Sequence, residues 1–292
     1  MLDQTDDAEH WTLGELSRNR WNVLDLITII ARRTRPAYLF ADIDVTAAEV
    51  LRSRLAAHGV KITITAILLK AISIAQLAHP DSRSFHLASG IRVTEKEPVA
   101  GFTVERTVEG EPVVFFAVIR AAHEKSLDAI GVELENYGKN RISKVPQLAK
   151  EIALTRFPWL LRQIGIWIGT RIAAIRRIVN PATFGLTSLG KLGVESLLAP
   201  TVSTCIFGVG SVEPRAVAMN GKVEVRKMMT LTLSVDTKVM NICDAGGMLN
   251  EIKELIESGL ADHLDPSERL PEIRTLPQGQ RERSTSRASL CA

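Results

Sequence analysis

The sequence contains few of the residues that mark a disulfide-rich, metal-binding or nucleic-acid-binding protein. Its three cysteines, Cys205, Cys243 and Cys291, follow no zinc or disulfide spacing. Aromatic residues make up only 5%, the net charge is +3, and no run interleaves aromatic and basic side chains. The first residues are acidic and polar, unlike a secretory signal. We therefore expect reduced thiols, no metal, no nucleic-acid partner and a cytoplasmic location.

Long uncharged runs are also absent. The segment 149–180 is rich in tryptophan and arginine, and its longest uncharged run, 163–170, is much shorter than a membrane span. Arg162 and Arg171 fall on opposite sides of a helical wheel, so the sequence predicts no clean membrane-facing side. We interpret 149–180 as a helical insertion that forms a surface or partner helix, in preference to membrane contact.

What is present is the composition of a folded soluble domain. Hydrophobic residues make up 46% of 292 residues and charged residues 24%, so the chain can bury a full core. We predict a polar lead over 1–19, one folded domain over 20–263, and a disordered tail over 264–292, where proline, arginine, serine and glutamine dominate.

Local patterns predict several elements. The almost wholly apolar stretch 62–78 predicts a buried core helix. Residues 108–110 predict one hairpin turn, and Asn220-Gly221 predicts a second, because a two-residue type I′ turn needs positive φ at both positions. Thr46 and Glu49 have the spacing of a capping box at the start of a helix.

The stretch 229–247 combines a half-buried strand with a polar loop and a helix start. Polar and apolar residues alternate over 230–235, and Asp244 stands where a helix beginning at Ala245 would be capped. Loops between a strand and a helix often carry functional side chains. Here the loop reads Asp236-Thr-Lys-Val-Met-Asn-Ile242.

This loop resembles the active-site segment of the dihydrolipoamide acyltransferases, the core components of 2-oxoacid dehydrogenase complexes. In that family a similar strand leads into Asp-His-Arg-x-x-Asp-Gly, so Thr237 stands in place of the histidine. Further segments resemble the family in the same order and together cover roughly 20–260. They are 62–71 with His79-Pro80, 118–127, Thr183-Phe-Gly-Leu-Thr-Ser-Leu-Gly190, 193–196, 206–210 and 226–231.

The resemblance implies an α/β fold, the chloramphenicol-acetyltransferase-like two-layer sandwich with a mixed sheet. It also implies a homotrimer with active sites at subunit boundaries, or a cage built from such trimers. Because little chain precedes the domain, we expect a stand-alone, divergent member without a lipoyl domain.

The family's chemistry, acyl transfer from a CoA thioester, needs a base for the acceptor's proton and a donor for the tetrahedral oxyanion. The resemblance places the oxyanion donor at Thr187 and substrate contacts at Ser188 and Lys238. It places the remaining catalytic positions at Asp236, Thr237 and Asn241. A threonine hydroxyl does not act as a general base near neutral pH.

Two hypotheses follow. The chain is a CoA-dependent acyltransferase, using acyl-CoA and a small thiol or hydroxyl acceptor, with Asp236 or an imported histidine handling the proton. Alternatively, it is a non-catalytic relative that acts as an oligomeric scaffold or regulatory subunit. His86 and His123 are the candidates for an imported base, whereas His79 has a structural interpretation. Cys243 is interpreted as a buried small hydrophobe in preference to a nucleophile.

Overall fold

The computed structural model describes residues 20–219, 221–266 and 268–269. Its helices and strands come mostly in groups along the chain. The helices are α1 (Trp21–Ile29), α2 (Thr46–Ala57), α3 (Ile64–Ala78), α4 (Leu127–Lys139), α5 (Pro146–Thr155), α6 (Trp159–Gly169), α7 (Ala173–Val179) and α8 (Ile242–Glu257). The strands are β1 (Pro36–Asp44), β2 (Ser84–His86), β3 (Arg92–Thr94), β4 (Val99–Val108), β5 (Glu111–Arg120), β6 (Phe184–Ser188), β7 (Cys205–Met219) and β8 (Lys222–Asp236).

A six-stranded mixed sheet with the order β1-β8-β7-β6-β4-β5 forms the centre of the domain. Strand β6 runs parallel to both β4 and β7, and the other pairs are antiparallel. Helices α2, α3, α4 and α8 pack together against this sheet. One hydrophobic core fills the space between the two layers. This arrangement confirms the predicted two-layer sandwich with a mixed sheet.

The predicted core helix is α3. Thr63 caps it by accepting a hydrogen bond of 3.2 Å from the Ala66 amide, and the helix ends before His79 and Pro80. Ile67, Leu68 and Ile72 are fully buried. Because apolar side chains surround most of its circumference, α3 is stable only between the sheet and the other helices of that layer.

Both predicted hairpins form. Glu109 and Gly110 have positive φ between β4 and β5, and Gly221 has φ +76° between β7 and β8. Asn220 lies outside the described residues. The strands of the second hairpin are continuous for 15 residues each, because an irregularity between Val209 and Val212 lets the pairing continue. The alternation over 230–235 predicted only the last part of β8.

The predicted capping box at α2 is wrong. Val45 occupies the cap position, and the Thr46 amide donates to the Asp44 carboxylate at 2.8 Å. Glu49 instead pairs with Arg52. The reason is that the helix begins one residue earlier than the box requires, and the Asp44 carboxylate already accepts from the Thr46 amide that Glu49 would need.

The segment 149–180 is helical, as predicted, and contains most of α5 together with α6 and α7. Helices α5 and α6 pack beside α1, and α7 packs against α6. At the other end of the chain, Glu268 is buried and accepts a hydrogen bond of 3.3 Å from the Asp128 amide at the start of α4. Residues 1–19 and 270–292 lie outside the described residues, so the predicted lead and tail stay predictions there.

Candidate active site

Asp236 is the last residue of β8, and its carboxylate serves the backbone of the turn that follows. Its Oδ1 accepts hydrogen bonds from the Arg35 amide at 3.0 Å and the Lys238 amide at 3.2 Å. The side chain is buried. A carboxylate that accepts two amide hydrogens at a strand end stabilises the local turn.

The next two side chains of this loop also bind main-chain groups. The Thr237 hydroxyl donates to the Arg35 carbonyl at 2.7 Å, and the Thr237 amide donates to the same oxygen at 3.0 Å. The Lys238 ammonium donates to the Arg33 carbonyl at 2.5 Å. The loop after β8 is therefore tied to the segment that enters β1.

Asn241 caps α8, which corrects the predicted cap at Asp244 and the predicted start at Ala245. Helix α8 begins at Ile242, and the Asn241 Oδ1 accepts from the Asp244 amide at 2.8 Å. The Asp244 carboxylate accepts in return from the Asn241 side-chain amide. The helix starts earlier than predicted because an asparagine three residues before Asp244 satisfies the first free amides.

Thr187 lies near the C-terminal end of β6, beside Thr103 of the neighbouring β4. Their two hydroxyl oxygens are 2.6 Å apart, and either can be the donor. Thr187 is half-buried and Ser188 is exposed. This pair is the part of the candidate site in which hydroxyl groups bind each other and face solvent.

The end of β6 and the loop after β8 do not meet within one chain. Thr187 pairs with Gly208, and Gly208 pairs with Thr232 on the next strand. Thr237 lies 237 − 232 = 5 residues farther along β8. At the usual strand rise this offset is about 16 Å, in addition to two strand spacings of about 5 Å each. A site that uses both residues therefore needs a second copy of the chain.

The histidines considered as imported bases are not in the loop after β8. The His79 Nε2 lies 2.9 Å from the Glu251 Oε2 on α8, as expected of a structural residue. His86 is exposed on β2. The mostly buried His123 approaches Glu124 at 3.5 Å. In the part of the chain that the structure describes, no three side chains of histidine, cysteine, aspartate or glutamate form a metal-binding group.

Two cysteines lie within the described residues, and the interpretation of Cys243 as buried is wrong. Cys243 is exposed on the first turn of α8, because Ala245 occupies the buried side of that turn. Cys205 is buried on β7, and desolvation raises the pKa of its thiol far above the ordinary value. Burial therefore keeps Cys205 in the unreactive thiol form.

Comparison with known proteins identifies the relatives of this fold. Residues 178–262, which contain β6, β7, β8 and α8, match the family model for the 2-oxoacid dehydrogenases acyltransferase (catalytic domain). This part of the chain is similar to the dihydrolipoamide acyltransferase catalytic domain. The lipoamide acyltransferase component of the branched-chain alpha-keto acid dehydrogenase complex of Pseudomonas putida is 28% identical over 222 residues. That match covers 74% of this chain and 45% of the P. putida protein, so this chain spans less than half of that relative's length.

Solved structures of acyltransferase cores have the same fold as this dihydrolipoamide acyltransferase relative. The Azotobacter vinelandii dihydrolipoamide acetyltransferase, studied for the roles of a serine, a histidine and an asparagine in its catalytic mechanism, aligns with a TM-score of 0.64 at 21% identity, covering 88% of this chain and 96% of that one. The cubic core of the pyruvate dehydrogenase multienzyme complex aligns with a TM-score of 0.61 at 21% identity, over the same fractions. The resemblance predicted from the sequence is confirmed.

Sequence reasoning did not find the partners that fix these acyltransferase-like positions. Thr103 lies 84 residues before Thr187, and Arg35 lies 202 residues before Thr237. Neither partner stands in a motif, because their roles depend on main-chain groups and on strand pairing. A correct prediction that β4 pairs with β6 would have been needed to place Thr103 beside Thr187.

Proposed function

We propose that this chain is an acyltransferase-fold subunit that does not use the loop after β8 for general-base catalysis and acts as an oligomeric scaffold or regulatory subunit. The observation that carries the proposal is that the side chains of that loop bind main-chain groups of the same chain. Asp236 accepts two amide hydrogens, and the Thr237 hydroxyl donates to the Arg35 carbonyl. These contacts leave the loop as a structural connection between β8 and α8.

Spacing supports the view that threonine stands in place of the histidine. The histidine and the asparagine studied in the A. vinelandii enzyme are four positions apart, and so are Thr237 and Asn241. Loss of a positioned general base lowers an acyl-transfer rate on the order of 10²- to 10⁴-fold. A threonine hydroxyl does not restore that loss, because it is neither a useful proton acceptor nor ionised near neutral pH.

The proposed assembly is a homotrimer or a multiple of trimers. One relative with the same fold is a cubic core, and the separation of Thr187 from Thr237 requires a second copy for any site that uses both. In such an assembly the end of β6 on one subunit would face the loop after β8 on another.

A second candidate function is slow acyl transfer from acyl-CoA to a thiol, favoured by the exposed hydroxyl pair of Thr103 and Thr187. The acceptor thiolate would attack the thioester carbonyl carbon and form a new carbon–sulfur bond. The oxyanion would accept a hydrogen bond from Thr187, and the bond to the CoA sulfur would then break. A thiol needs less help from a base than a hydroxyl, because a few per cent of it is ionised at neutral pH.

The decisive experiment measures assembly, acetyl-CoA binding and turnover on one preparation. Sedimentation gives the oligomer size, calorimetry measures acetyl-CoA binding, and release of free CoA with dihydrolipoamide as acceptor measures transfer. We expect trimers or larger assemblies without catalysed release. Rapid turnover that disappears in Asp236→Asn would show that the loop provides a base and would overturn the proposal.

Matched variants separate the two candidates. Slow transfer through the hydroxyl pair predicts that Thr187→Val removes the residual rate, whereas Thr237→Ala preserves it. The change Thr237→His with Lys238→Arg, Asn241→Asp and Ile242→Gly recreates the family loop. Gain of activity on the order of 10² or more would show that the remaining site is intact. If this variant instead loses an activity that the parent has, the present loop itself performs the chemistry.

A further inference from the structure

Helix α6 presents large apolar side chains to solvent along one side. Leu160, Leu161, Ile164 and Trp167 lie within about 120° of the helix circumference and are 57%, 56%, 44% and 47% exposed. Trp159, the first residue of the helix, is 58% exposed at its end. Four further exposed apolar residues flank the helix, namely Leu154, Phe157, Ile172 and Ile178. A concentration of exposed apolar side chains of this kind marks a contact surface. We call this set the α6 apolar face.

The opposite side of α6 faces the protein, and this overturns the helical-wheel objection to an apolar side. The Arg162 guanidinium is turned inward, where its Nε donates to the Asp25 carboxylate of α1 at 2.8 Å. Gln163 donates to the other oxygen of the same carboxylate at 2.5 Å. The buried counter-charge on α1 removes Arg162 from the exposed side. The helix is therefore amphipathic, with its charge on the inner side.

The rim of the α6 apolar face is basic. The sequence contains no aspartate or glutamate between Glu151 and Glu195. The Arg171 guanidinium stacks over the Trp167 ring at 3.4 Å from its centroid, beyond the end of α6. The exposed Arg33 donates to the Thr170 hydroxyl at 2.8 Å. Both guanidinium groups bind neutral partners and keep their positive charge at the edge of the apolar side chains.

We propose that the α6 apolar face docks on an anionic lipid surface, with α6 lying in the plane of the headgroups. Tryptophan, phenylalanine and leucine on one side of a helix, with arginine at its border, form the pattern that binds at a membrane interface. Arginine near the surface is attracted to anionic headgroups. Within the described residues no helix has the length and apolar content needed to cross a bilayer.

Charge favours lipid over a contact of the α6 apolar face with the same face of a second copy. A two-fold contact would press the same patch against itself and bring the Arg33 and Arg171 groups of both copies together. Like charges brought together at a contact oppose association. An anionic lipid surface neutralises them. The proposal goes beyond the proposed function and does not depend on it.

The test uses the full chain and vesicles of two compositions, phosphatidylcholine alone and equal parts phosphatidylcholine and phosphatidylglycerol. Co-sedimentation measures binding, and tryptophan emission reports the four tryptophans of the chain, of which Trp159 and Trp167 belong to the α6 apolar face. We expect binding to the anionic vesicles with a shift of emission to shorter wavelength, and quenching by brominated lipid. The shift and the quenching should be lost in Trp159→Phe/Trp167→Phe. Failure of the parent protein to bind anionic vesicles overturns the proposal.

Two sets of variants assign the binding to the α6 apolar face. Leu160→Ser/Leu161→Ser/Ile164→Ser should weaken vesicle binding by roughly 100-fold, because each change removes an exposed apolar group from the lipid contact. The matched control is Val223→Ser/Val225→Ser on β8, where the valines are 76% and 73% exposed. It should bind as the parent does. Equal binding by the triple variant overturns the proposal.

The arginine variants provide a second measurement in which every apolar side chain of the α6 apolar face is kept, although Arg171→Gln removes the group stacked on Trp167. Arg33→Gln/Arg171→Gln should weaken binding to the anionic vesicles by about 5-fold for each charge removed. Raised salt should reproduce that loss in the parent protein. If sedimentation instead shows that the parent self-associates without lipid through the α6 apolar face, and that the triple variant does not, the surface is a contact between copies and the lipid proposal is wrong.

Discussion

The loop after β8 and the segment around α6 differ in which side chains bind inside the protein and which face solvent. In the loop, polar side chains that the family resemblance assigns to chemistry bind main-chain groups of the segment that enters β1. Around α6, a charged pair is buried while tryptophans and leucines face solvent. The difference shows that the type of a residue does not decide its role; the position of its partner does.

Each region satisfies its polar groups by a different means. Asp236 accepts two backbone amides, so its contacts consist of hydrogen bonds at the end of β8. Asp25 and Arg162 lie between α1 and α6, where the aspartate is only 2% exposed and the pair depends on mutual neutralisation. Removing one partner should therefore lower the free energy of unfolding more between the helices than in the loop.

The largest expected effect tests the buried pair. Asp25→Ala should lower the free energy of unfolding by about 3–5 kcal/mol, because Arg162 would keep a buried charge without a counter-ion. Chemical denaturation followed by circular dichroism measures this change. Asp25→Leu/Arg162→Met removes both charges and should recover most of the loss. If Asp25→Ala is as stable as the exposed control Glu97→Ala, the pair does not stabilise the contact between α1 and α6.

The loop gives the next effect. Asp236→Ala should cost about 1–3 kcal/mol, since the Arg35 and Lys238 amides would lose their acceptor in a buried turn. Asp236→Asn keeps an acceptor oxygen and should lose less. Equilibrium urea denaturation of both variants measures the difference. Equal losses in the two variants would mean that charge, and not hydrogen-bond acceptance, holds the loop, and the contrast with α6 would disappear.

A smaller effect is expected at the helix cap. Asn241→Ala should destabilise the protein by about 1 kcal/mol, because the Asp244 amide at the start of α8 loses its side-chain acceptor. Asn241→Asp preserves the acceptor and should unfold near the parent temperature. Thermal unfolding of the two variants provides the comparison. If Asn241→Ala unfolds at the parent temperature, Asn241 does not stabilise α8, and its spacing from Thr237 would instead indicate a role in the chemistry.

The smallest effect concerns Tyr137, which lies outside both regions. It packs against the main core and allows the effect of burial there to be compared with the two regions. Burial raises the pKa of its phenol above the ordinary value, and its hydroxyl donates to the Val118 carbonyl at 3.1 Å. The unfolded chain therefore loses the Tyr137 proton first, so the contribution of this group to stability should fall as pH rises above about 10. The chain has two tyrosines, so Tyr38→Phe leaves Tyr137 as its one tyrosine. Ultraviolet absorbance of this variant measures the titration of Tyr137. Ionisation at the ordinary pKa would contradict the buried environment.

The sequence by itself determined the layer architecture and the resemblance to the acyltransferases. An apolar stretch became α3, and paired alternating strands became the β7–β8 hairpin, because hydrophobic periodicity and turn residues act locally. The ordered motifs resembling the acyltransferases also lie within local segments. The absence of histidine at Thr237 needed no structure to be seen.

Only the tertiary structure decided what the side chains of the two compared regions do. The partners of Thr237 and Thr187 lie 202 and 84 residues away, and the counter-charge of Arg162 lies 137 residues away on α1. Hydrogen bonds and ion pairs depend on distances of a few ångströms, which chain topology sets and local pattern does not. A helical wheel therefore placed Arg162 correctly on its side of α6 but could not show that the side faces inward.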